Sequence, residues 1–248
     1  MLTEERHAII LDTINRQHSV RLNELCELLG TSESTIRRDL TALDEKGLLT
    51  KVHGGAIAIR EKFSPVEHSM EEKSKLYTEE KEAIAKYAAS LVEDGDFVFV
   101  DAGTTTEKMI DYLPEKKATF VTNGFVHAKR LAQRGFKVLV LAGEFKLSTE
   151  AVVGASCVLT LQNYNFTKSF MGVNAISVSS GLSTPDQSEA SVKAAVVRRS
   201  KKVYILADHS KFDQITSVTF ASLDKVTIIT DKLTDSKFSA KATIKEVM

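Results

Sequence analysis

A run of hydroxyl side chains follows a short apolar segment in the second half of the chain. Residues 97–101 have the continuous apolar character of a buried strand, Gly103 makes a turn, and Thr104, Thr105 and Thr106 open a helix. The free amides at a helix N-terminus bind anions, aided by the helix dipole. The run is neither a Walker loop nor a GxGxxG motif, so no nucleotide is implied. Taken alone, the run is more typical of a plain helix cap, and a phosphate site is the functional interpretation.

Other polar residues follow the apolar segments of the same half of the chain. Helices and strands alternate from residue 78 to residue 230, which predicts a parallel sheet covered by helices on both faces. Ligands of such sheets bind at the carboxyl ends of the strands. The residues expected there are Thr122, Asn123, Gly143, Gly172, Asn174, Asp208, Ser210 and Lys211. Donors, carboxylates and a cation at one edge suit a phosphorylated polyol, although Asp208 and Lys211 alone would be read as an exposed ion pair.

Two adjacent arginines, Arg37 and Arg38, stand in a predicted helix near the start of the chain. The helix begins after a capping Ser32 and runs to about Lys46, before Gly47. Three aliphatic residues share one narrow arc, which must face a core: Ile36, Leu40 and Leu43. The guanidinium groups and hydroxyls then point outward, where they suit base edges and phosphates. The alternative is that the two arginines lie on a solvated helix face and bind no partner.

The elements around these arginines form a winged helix-turn-helix pattern. Amphipathic helices are predicted over residues 3–17 and 23–29, with Asn23 as a cap and Gly30 after the second end. After the arginine-bearing helix, residues 48–53 alternate, Gly54-Gly55 follow, and a second apolar run covers 56–59, which predicts a β-hairpin. The residues expected on DNA are Ser32, Ser34, Thr35, Arg37, Arg38, Thr41, Lys51 and His53.

Composition places the chain among globular proteins and leaves its partners open. Its 248 residues carry 33 basic and 33 acidic side chains, so the net charge is zero and any DNA-binding surface must focus positive charge on one face. No apolar run approaches the roughly 20 residues that span a bilayer, and the first residues lack the pattern of a secretory signal. Cys26 and Cys157 lie far apart in apolar helical patterns, which suits a reducing cytoplasm and predicts no metal site.

The first 60 residues resemble the winged helix-turn-helix of DeoR-type bacterial transcription regulators. The positions that match the signature of that family are Arg6, Ile10, Ile14, Ser32, Thr35, Ile36, Arg37, Arg38, Asp39 and Leu40, and "GLLTKVHGGA" matches its wing. The resemblance implies that this segment binds DNA.

Residues 78–230 resemble the DeoR-type C-terminal sensor domain, whose fold is related to that of ribose-5-phosphate isomerase. The matching motifs are "DAGTTT", "TNG", "LAG", "FMGVNAI", "GLSTPDQSEA" and "DHSKF". By position, the phosphate loop of the family corresponds to Asp101, Gly103, Thr104, Thr105 and Thr106. Its polar lining corresponds to Thr122, Asn123, Glu189, Asp208, Ser210 and Lys211. The chain departs from the pattern at Gly124, where a serine or aspartate is frequent, and at Ala142, where a second glycine is usual.

The expected domains are a DNA-binding domain over 1–58, a linker over 59–76 and a sugar-phosphate-sensing domain over 77–248. The fold class is α/β with an N-terminal winged helix. The resemblance is strongest to the fructose-operon repressors of the family, which implies a repressor released by fructose 1-phosphate; tagatose 6-phosphate remains open. A homodimer or homotetramer is expected because two half-sites need two readers. No cofactor is expected.

An enzyme with an accessory DNA-binding domain is the alternative function. Glu189 and Lys211 are its candidate acid–base groups in a sugar-phosphate isomerase or deaminase. We expect no histidine–acid pair, since His127 and His209 read as isolated surface or cap residues. An attached winged helix makes regulation the simpler interpretation.

Overall fold

The computed structural model describes residues 1–58, 62–64, 67–115, 117–233 and 235–248. The chain forms two compact units. Unit 1 comprises Met1–Glu61 with Asp235–Ala240, and unit 2 comprises Lys62–Thr234 with Lys241–Met248. In the described part of the chain, no helix combines the length and the apolar character needed to cross a membrane.

In its described residues, unit 1 contains three α-helices, a three-stranded antiparallel sheet and a 3-10 helix, Ser236–Phe238. In chain order its elements are α1 (Thr3–Gln17), β1 (Ser19–Arg21), α2 (Leu22–Leu29), α3 (Glu33–Glu45), β2 (Thr50–Val52) and β3 (Gly55–Ile57). The strands lie in the order β1-β3-β2, so the predicted hairpin gains a third strand. Position 55 requires glycine where β3 pairs with β1, because a Cβ there would lie 2.0 Å from the Val20 carbonyl oxygen. The prediction that Asn23 caps the second helix is wrong: α2 begins at Leu22, after Arg21.

The core of unit 1 is built from the apolar stripes of its helices. Ile10 and Ile14 of α1 pack with α2 and with Ile36, Leu40 and Leu43 of α3, all of which are buried. Gly30 follows α2 with φ +58°, the left-handed conformation that glycine adopts readily. The turn between α2 and α3 therefore fixes α3 with its other face toward solvent.

Unit 2 is an α/β domain around a parallel sheet. Its elements in chain order are β4 (Lys62–Phe63), α4 (Met70–Lys75), α5 (Thr78–Ser90), β5 (Phe97–Val100), α6 (Thr104–Asp111), β6 (Thr119–Thr122), α7 (Phe125–Gln133), β7 (Lys137–Val140), β8 (Glu144–Lys146), β9 (Ala151–Val153), α8 (Ala155–Leu161), β10 (Phe166–Gly172), β11 (Ala175–Ser177), β12 (Gly181–Thr184), α9 (Gln187–Arg199), β13 (Ser200–Leu206), β14 (Gln214–Ile215), β15 (Val218–Ala221), β16 (Thr227–Thr230) and β17 (Thr243–Glu246).

The seven-stranded sheet reverses its strand order in the middle. The order is β17-β16-β13-β10-β5-β6-β7, and all neighbours are parallel. From β5 the chain moves outward to β6 and β7, and from β10 it moves the other way to β13, β16 and β17. The carboxyl ends of β5 and β10 therefore border the crevice at which ligands of open α/β sheets bind.

Smaller antiparallel elements surround the large sheet and were not predicted. β11, β12 and β15 form a three-stranded sheet, and β8 pairs with β9. The predicted fourth strand over "SFMGVNAI" is divided between β10 and β11.

The predicted linker over 59–76 has its own structure where it is described. It contains β4, which pairs with β14, and α4, whose Ser69 cap accepts a hydrogen bond from the Glu72 amide. Residues 59–61, 65 and 66 lie outside the described residues, and with them the end of the predicted hairpin run at Ile59.

Candidate DNA-binding surface and effector pocket

The outward face of α3 carries the predicted DNA-binding residues. Arg37 and Arg38 are exposed, as are Ser32 and Ser34 at the start of the helix, whereas Ile36 is fully buried. Lys51 and His53 of the hairpin are also exposed, and Thr35 and Thr41 are half-buried. An exposed helix face with guanidinium groups and short hydroxyls has the shape and the donors to enter a major groove.

The polar groups of this surface are linked to one another. The Ser32 hydroxyl lies 3.0 Å from the Ser34 hydroxyl and 3.1 Å from the Thr35 hydroxyl. Lys51 Nζ donates to Thr41 Oγ1 at 2.6 Å, which connects the hairpin to α3. These contacts bring the helix and the hairpin together as one polar surface.

Asp39 is buried, unlike the exposed arginines before it, and it joins α3 to α1. Its carboxylate accepts bonds from Arg6 Nε at 2.5 Å and Arg6 Nη2 at 3.0 Å, and His7 Nε2 lies 3.2 Å away. Asp39 is 4% exposed. The Arg6 guanidinium, together with His7, holds the pKa of this carboxyl below its usual value although burial opposes the shift. Bidentate geometry of this kind fixes orientation as well as distance, so Asp39 sets how α3 presents its outer face.

We expect Asp39→Ala to lower the thermal midpoint of the full chain by several degrees. The substitution leaves the Arg6 guanidinium without its carboxylate and releases α3 from α1. Calorimetry measures the effect, with Asp12→Ala as the control, since Asp12 forms an exposed pair with Arg16. Because the pKa of Asp39 is lowered in the fold, its contribution is present above the ordinary carboxyl pKa and disappears as the pH falls through the lowered value. An equal midpoint for both variants would contradict the role given to Asp39.

A pocket in unit 2 lies at the point where the strand order reverses. Asp101, directly after β5, and Gly172, at the end of β10, border it, and the Gly172 amide donates to Asp101 Oδ2 at 3.1 Å. Nine of the fourteen residues predicted for this site line the pocket: Asp101, Gly103, Thr104, Thr105, Gly172, Asn174, Glu189, Asp208 and Lys211. The topology thus brings strand ends, the start of α6 and the start of α9 to one cavity.

Three predicted effector residues shape the loop and do not line the pocket. Thr106 Oγ1 donates to backbone carbonyls of the loop, at 2.6 Å to Asp101 O and 2.8 Å to Gly103 O. Asn123 Oδ1 accepts from the Ala102 amide at 3.0 Å, and Thr122 Oγ1 accepts from the Gly124 amide at 3.0 Å. Thr106 and Asn123 hold the turn before α6, so that its first amides stand at the pocket, whereas Thr122 bonds within the turn before α7. Of the other two residues outside the pocket, Ser210 lines the neighbouring cavity, and Gly143 packs against β9, where a Cβ would lie 2.4 Å from the Val153 carbonyl oxygen.

The pocket contains three lysines that the sequence analysis missed. Lys73 comes from α4, Lys81 from α5 and Lys193 from α9, and Lys211 joins them. Lys193 Nζ donates to Asp101 Oδ2 and, at 3.0 Å, to Gly172 O. Within the described ranges, Lys73, Lys81 and Lys211 form no ion pair; Lys81 Nζ donates only to the Lys73 carbonyl. The pocket therefore offers three ammonium groups that lack a carboxylate partner.

Burial changes the protonation of two of these lysines. Lys81 is 4% exposed, and desolvation lowers its pKa from the ordinary 10.5 to about 8, opposed by Asp208 and reinforced by Lys211, Lys108 and Lys73. Burial also lowers the pKa of Lys73, opposed by Glu67 and Glu189 and reinforced by Lys193 and Lys211. Ammonium groups destabilised in this way gain most from an arriving anion.

The acids of the pocket are held in place by their own partners. Glu189 Oε1 accepts from Thr149 Oγ1 at 2.6 Å and from Lys146 Nζ at 3.2 Å. Burial alone would lower the pKa of Lys146, but Glu67, Glu189 and Asp186 raise it. Asp208 accepts from the Ser210 amide and hydroxyl. Fixed carboxylates beside ammonium groups can accept bonds from sugar hydroxyls while the cations hold a phosphate.

Comparison with known proteins identifies both units. Residues 6–62 match the DeoR-like helix-turn-helix domain, and residues 77–232 match the DeoR C terminal sensor domain. The chain belongs to the DeoR family of transcriptional regulators.

Relatives of this DeoR-family chain are similar over nearly its whole length. It is 41% identical to the uncharacterized HTH-type transcriptional regulator FruR of Bacillus subtilis (strain 168), over 100% of this chain and 99% of the relative. It is 35% identical to the lactose phosphotransferase system repressor of Staphylococcus aureus (strain NCTC 8325 / PS 47), over 92% of each. Ribose 5 phosphate isomerase A from Neisseria gonorrhoeae aligns over 61% of this chain and 57% of its own, with 17% identity and a TM-score of 0.41. The helix-turn-helix match and the two regulator relatives show that the protein is a transcriptional regulator, which rejects the enzyme alternative.

The structure gives a steric reason why this DeoR-family chain has glycine at position 124, where the family pattern frequently has serine or aspartate. A Cβ at this position would lie 2.6 Å from His127 Nδ1 and 3.2 Å from the Ala102 Cβ. His127 is buried, which corrects its interpretation as a surface or cap residue, and its Nε2 lies 3.2 Å from Thr106 Oγ1. Burial lowers the pKa of His127, which therefore supports the loop as a neutral ring. Here a histidine occupies the space that a larger side chain at 124 would need.

The expectation of no histidine–acid pair is also wrong. His209 Nδ1 lies 2.7 Å from Asp231 Oδ2, and the His209 amide donates to Asp231 Oδ1 at 2.7 Å. Glu80 brings a third ligand atom within 4.8 Å, so these residues are the group in the described chain that could hold a metal ion. Both oxygens of Asp231 are already used by His209, so we interpret the pair as a support for the loop that carries Asp208 and Lys211.

The pKa of Lys81 predicts a pH dependence for effector binding by this DeoR-family sensor. A bound phosphate dianion raises the pKa of Lys81 back toward 10.5, so binding takes up a proton between pH 8 and 10.5. We expect affinity to be constant from pH 7 to 8 and to fall by up to roughly tenfold per pH unit above 8. Calorimetry at pH 9 in two buffers of different ionisation enthalpy measures the uptake. Binding at pH 9 without proton uptake would contradict the assignment.

Proposed function

We propose that this protein is a cytoplasmic transcriptional repressor of a sugar-utilisation operon, released from its operator by a phosphorylated sugar. Fructose 1-phosphate is the favoured effector. The observation that carries the effector half is the pocket at the strand-order reversal, where three ammonium groups without carboxylate partners stand beside fixed acids and the start of α6. Ammonium groups can bind a phosphate, and carboxylates can accept hydrogen bonds from sugar hydroxyls. The pocket therefore suits a phosphomonoester of a polyol.

The DNA-binding half of the proposal rests on the exposed polar face of α3. We propose that Arg37 and Arg38 enter the major groove, and that Lys51 and His53 hold phosphates beside it. Ser32, Ser34, Thr35 and Thr41 complete this surface. A homodimer or homotetramer would present two such faces to a two-fold symmetric operator.

Repression and the sugar class have support from relatives of this family. The Staphylococcus aureus relative is named a repressor of the lactose phosphotransferase system. Release requires that the effector bind the DNA-free state more tightly than the DNA-bound state, because a ligand shifts an equilibrium only by its differential affinity.

Selection from random double-stranded DNA with the full chain tests the DNA half of this proposal. We expect enrichment of one site with two-fold symmetry, whose affinity exceeds that of unselected DNA by at least roughly 10³ at physiological salt. The selected DNA is then bound in the presence of fructose 1-phosphate, tagatose 6-phosphate and free fructose. Failure to enrich any sequence would refute sequence-specific repression.

A further inference from the structure

A second cavity adjoins the effector pocket and shares a wall with it. Lys73, Lys81, Lys211 and Asn174 line both cavities. We call the adjoining cavity the outer chamber. Its remaining described lining includes His68, Ser210, Gln214 and Thr216. The shared wall makes the two cavities neighbouring compartments around one group of lysines.

The outer chamber differs from the effector pocket in its charge. The effector pocket contains three carboxylates, those of Asp101, Glu189 and Asp208. The described lining of the outer chamber contains none: it offers three lysines and a histidine, with hydroxyl and amide groups. A neutral polyol has no need of three cations, whereas an anionic group balances them.

One side chain of the outer chamber lacks a partner. Thr216 is 5% exposed and lines the chamber, and its Oγ1 has no hydrogen-bond partner in the portion of the chain that is described. Buried hydroxyls are normally satisfied, because an unmade hydrogen bond costs the full desolvation of the group. A ligand group that reached this hydroxyl after rotation of the side chain would supply the missing hydrogen bond.

We infer that the effector carries two anionic groups and that the outer chamber holds the second. The first group lies at the start of α6, beside Thr104 and Thr105, and the polyol lies between Asp101 and Glu189. The second lies beyond the wall of Lys73 and Lys211, near His68 and Thr216. The ligand class is a bisphosphorylated sugar or a sugar phosphate with a carboxylate. This inference rests on the proposed function, since it keeps a phosphorylated sugar as the effector of the same site and replaces fructose 1-phosphate with a doubly anionic member of that class.

Calorimetric titration of the full chain tests the inference, with three probes: fructose 1-phosphate, fructose 6-phosphate and fructose 1,6-bisphosphate. We expect the bisphosphate to bind at least about tenfold more tightly than the better monophosphate, as a further set of charge-assisted bonds implies. The variant His68→Gln/Thr216→Val removes two groups of the outer chamber, together with the exposed contact between His68 and Glu72. In it we expect this ratio to fall to about threefold or less. Thr243→Val, on an exposed position of β17, is the matched control and should keep the ratio.

Three results would decide against the inference in distinguishable ways. Equal affinity for the bisphosphate and the better monophosphate would refute the second anionic group and leave the proposed function intact. A ratio that survives in the double variant would refute the outer chamber as its site. Absence of binding by all three probes would refute the sugar-phosphate effector itself, and the inference with it.

Discussion

Loss of both adjacent arginines is expected to abolish specific DNA binding while leaving the fold intact. Each guanidinium that reads a base edge contributes about 1–3 kcal/mol of discrimination, so Arg37→Ala/Arg38→Ala should weaken operator binding by roughly 30-fold to 10⁴-fold. The fold should persist because both side chains are exposed and the core residues of α3 are unchanged. The single ion pair lost, between Arg37 and Glu33 at 3.2 Å, is exposed and contributes little.

Fluorescence anisotropy on operator and on unrelated DNA measures this effect, with Arg198→Ala as the control. Arg198 is an exposed arginine of α9 in unit 2. Its loss removes one positive charge without touching α3, which matches Arg38→Ala and is half the charge removed by the double variant. The single variant Arg38→Ala separates two roles. A loss confined to the operator indicates base recognition, whereas an equal loss on both DNAs indicates a phosphate contact. Operator affinity unchanged in the double variant would contradict α3 as the recognition helix.

Lys81→Met is expected to produce a protein that binds DNA but no longer responds to its effector. A charged group lost from a buried, charge-paired contact typically costs 2–5 kcal/mol, which corresponds to roughly 30-fold to 5,000-fold weaker phosphate binding. The free protein should at the same time become more stable. The lowered pKa of Lys81 shows that its charge is disfavoured in the fold, and methionine fills similar space without that charge.

This stabilisation has a defined pH window. Below pH 8 the buried ammonium is charged in the fold and its cost is fully present; as the pH rises from 8 to 10.5 the cost disappears. The gain from Lys81→Met, roughly 1–3 kcal/mol at pH 7, should therefore vanish near pH 10.5. Chemical unfolding at the two pH values measures it, with the exposed Lys129→Met as the control. A variant that keeps full effector affinity would remove Lys81 from the site.

The recognition helix could be predicted because its signal is local. Ile36, Leu40 and Leu43 define the buried face by helical spacing alone, and the direction of Arg38 follows from that face. The parallel sheet was predictable for a related reason: strands buried on both faces read as short continuous apolar runs. Strand β1, which pairs with the hairpin as a third strand, was too short to leave a pattern.

Three lysines of the pocket were missed, and only one of them lies in a segment that looks like a solvated helix face. Lys73 lies in "MEEKSK", where no pattern separates it from its neighbours. Lys81 and Lys193 did carry a signal. Each lies on the apolar stripe of its helix, Lys81 in line with Ile84 and Ala88, and a cation on a buried stripe needs a partner. Thr106 and Asn123 were predicted to line the pocket, but their side chains bond the backbone of the loop before α6. A sequence does not show whether a hydroxyl or amide bonds its own loop or faces a ligand.

The direct test of the central claim is release of the full chain from DNA upstream of its own gene. The labelled DNA is held at half-saturation at physiological salt with excess competitor, and fructose 1-phosphate, tagatose 6-phosphate, fructose 1,6-bisphosphate and free fructose are titrated in turn. We predict that at least one phosphorylated sugar lowers the anisotropy to that of free DNA, that free fructose does not, and that Lys81→Met abolishes the response. Specific binding that none of the phosphorylated sugars weakens would contradict the account.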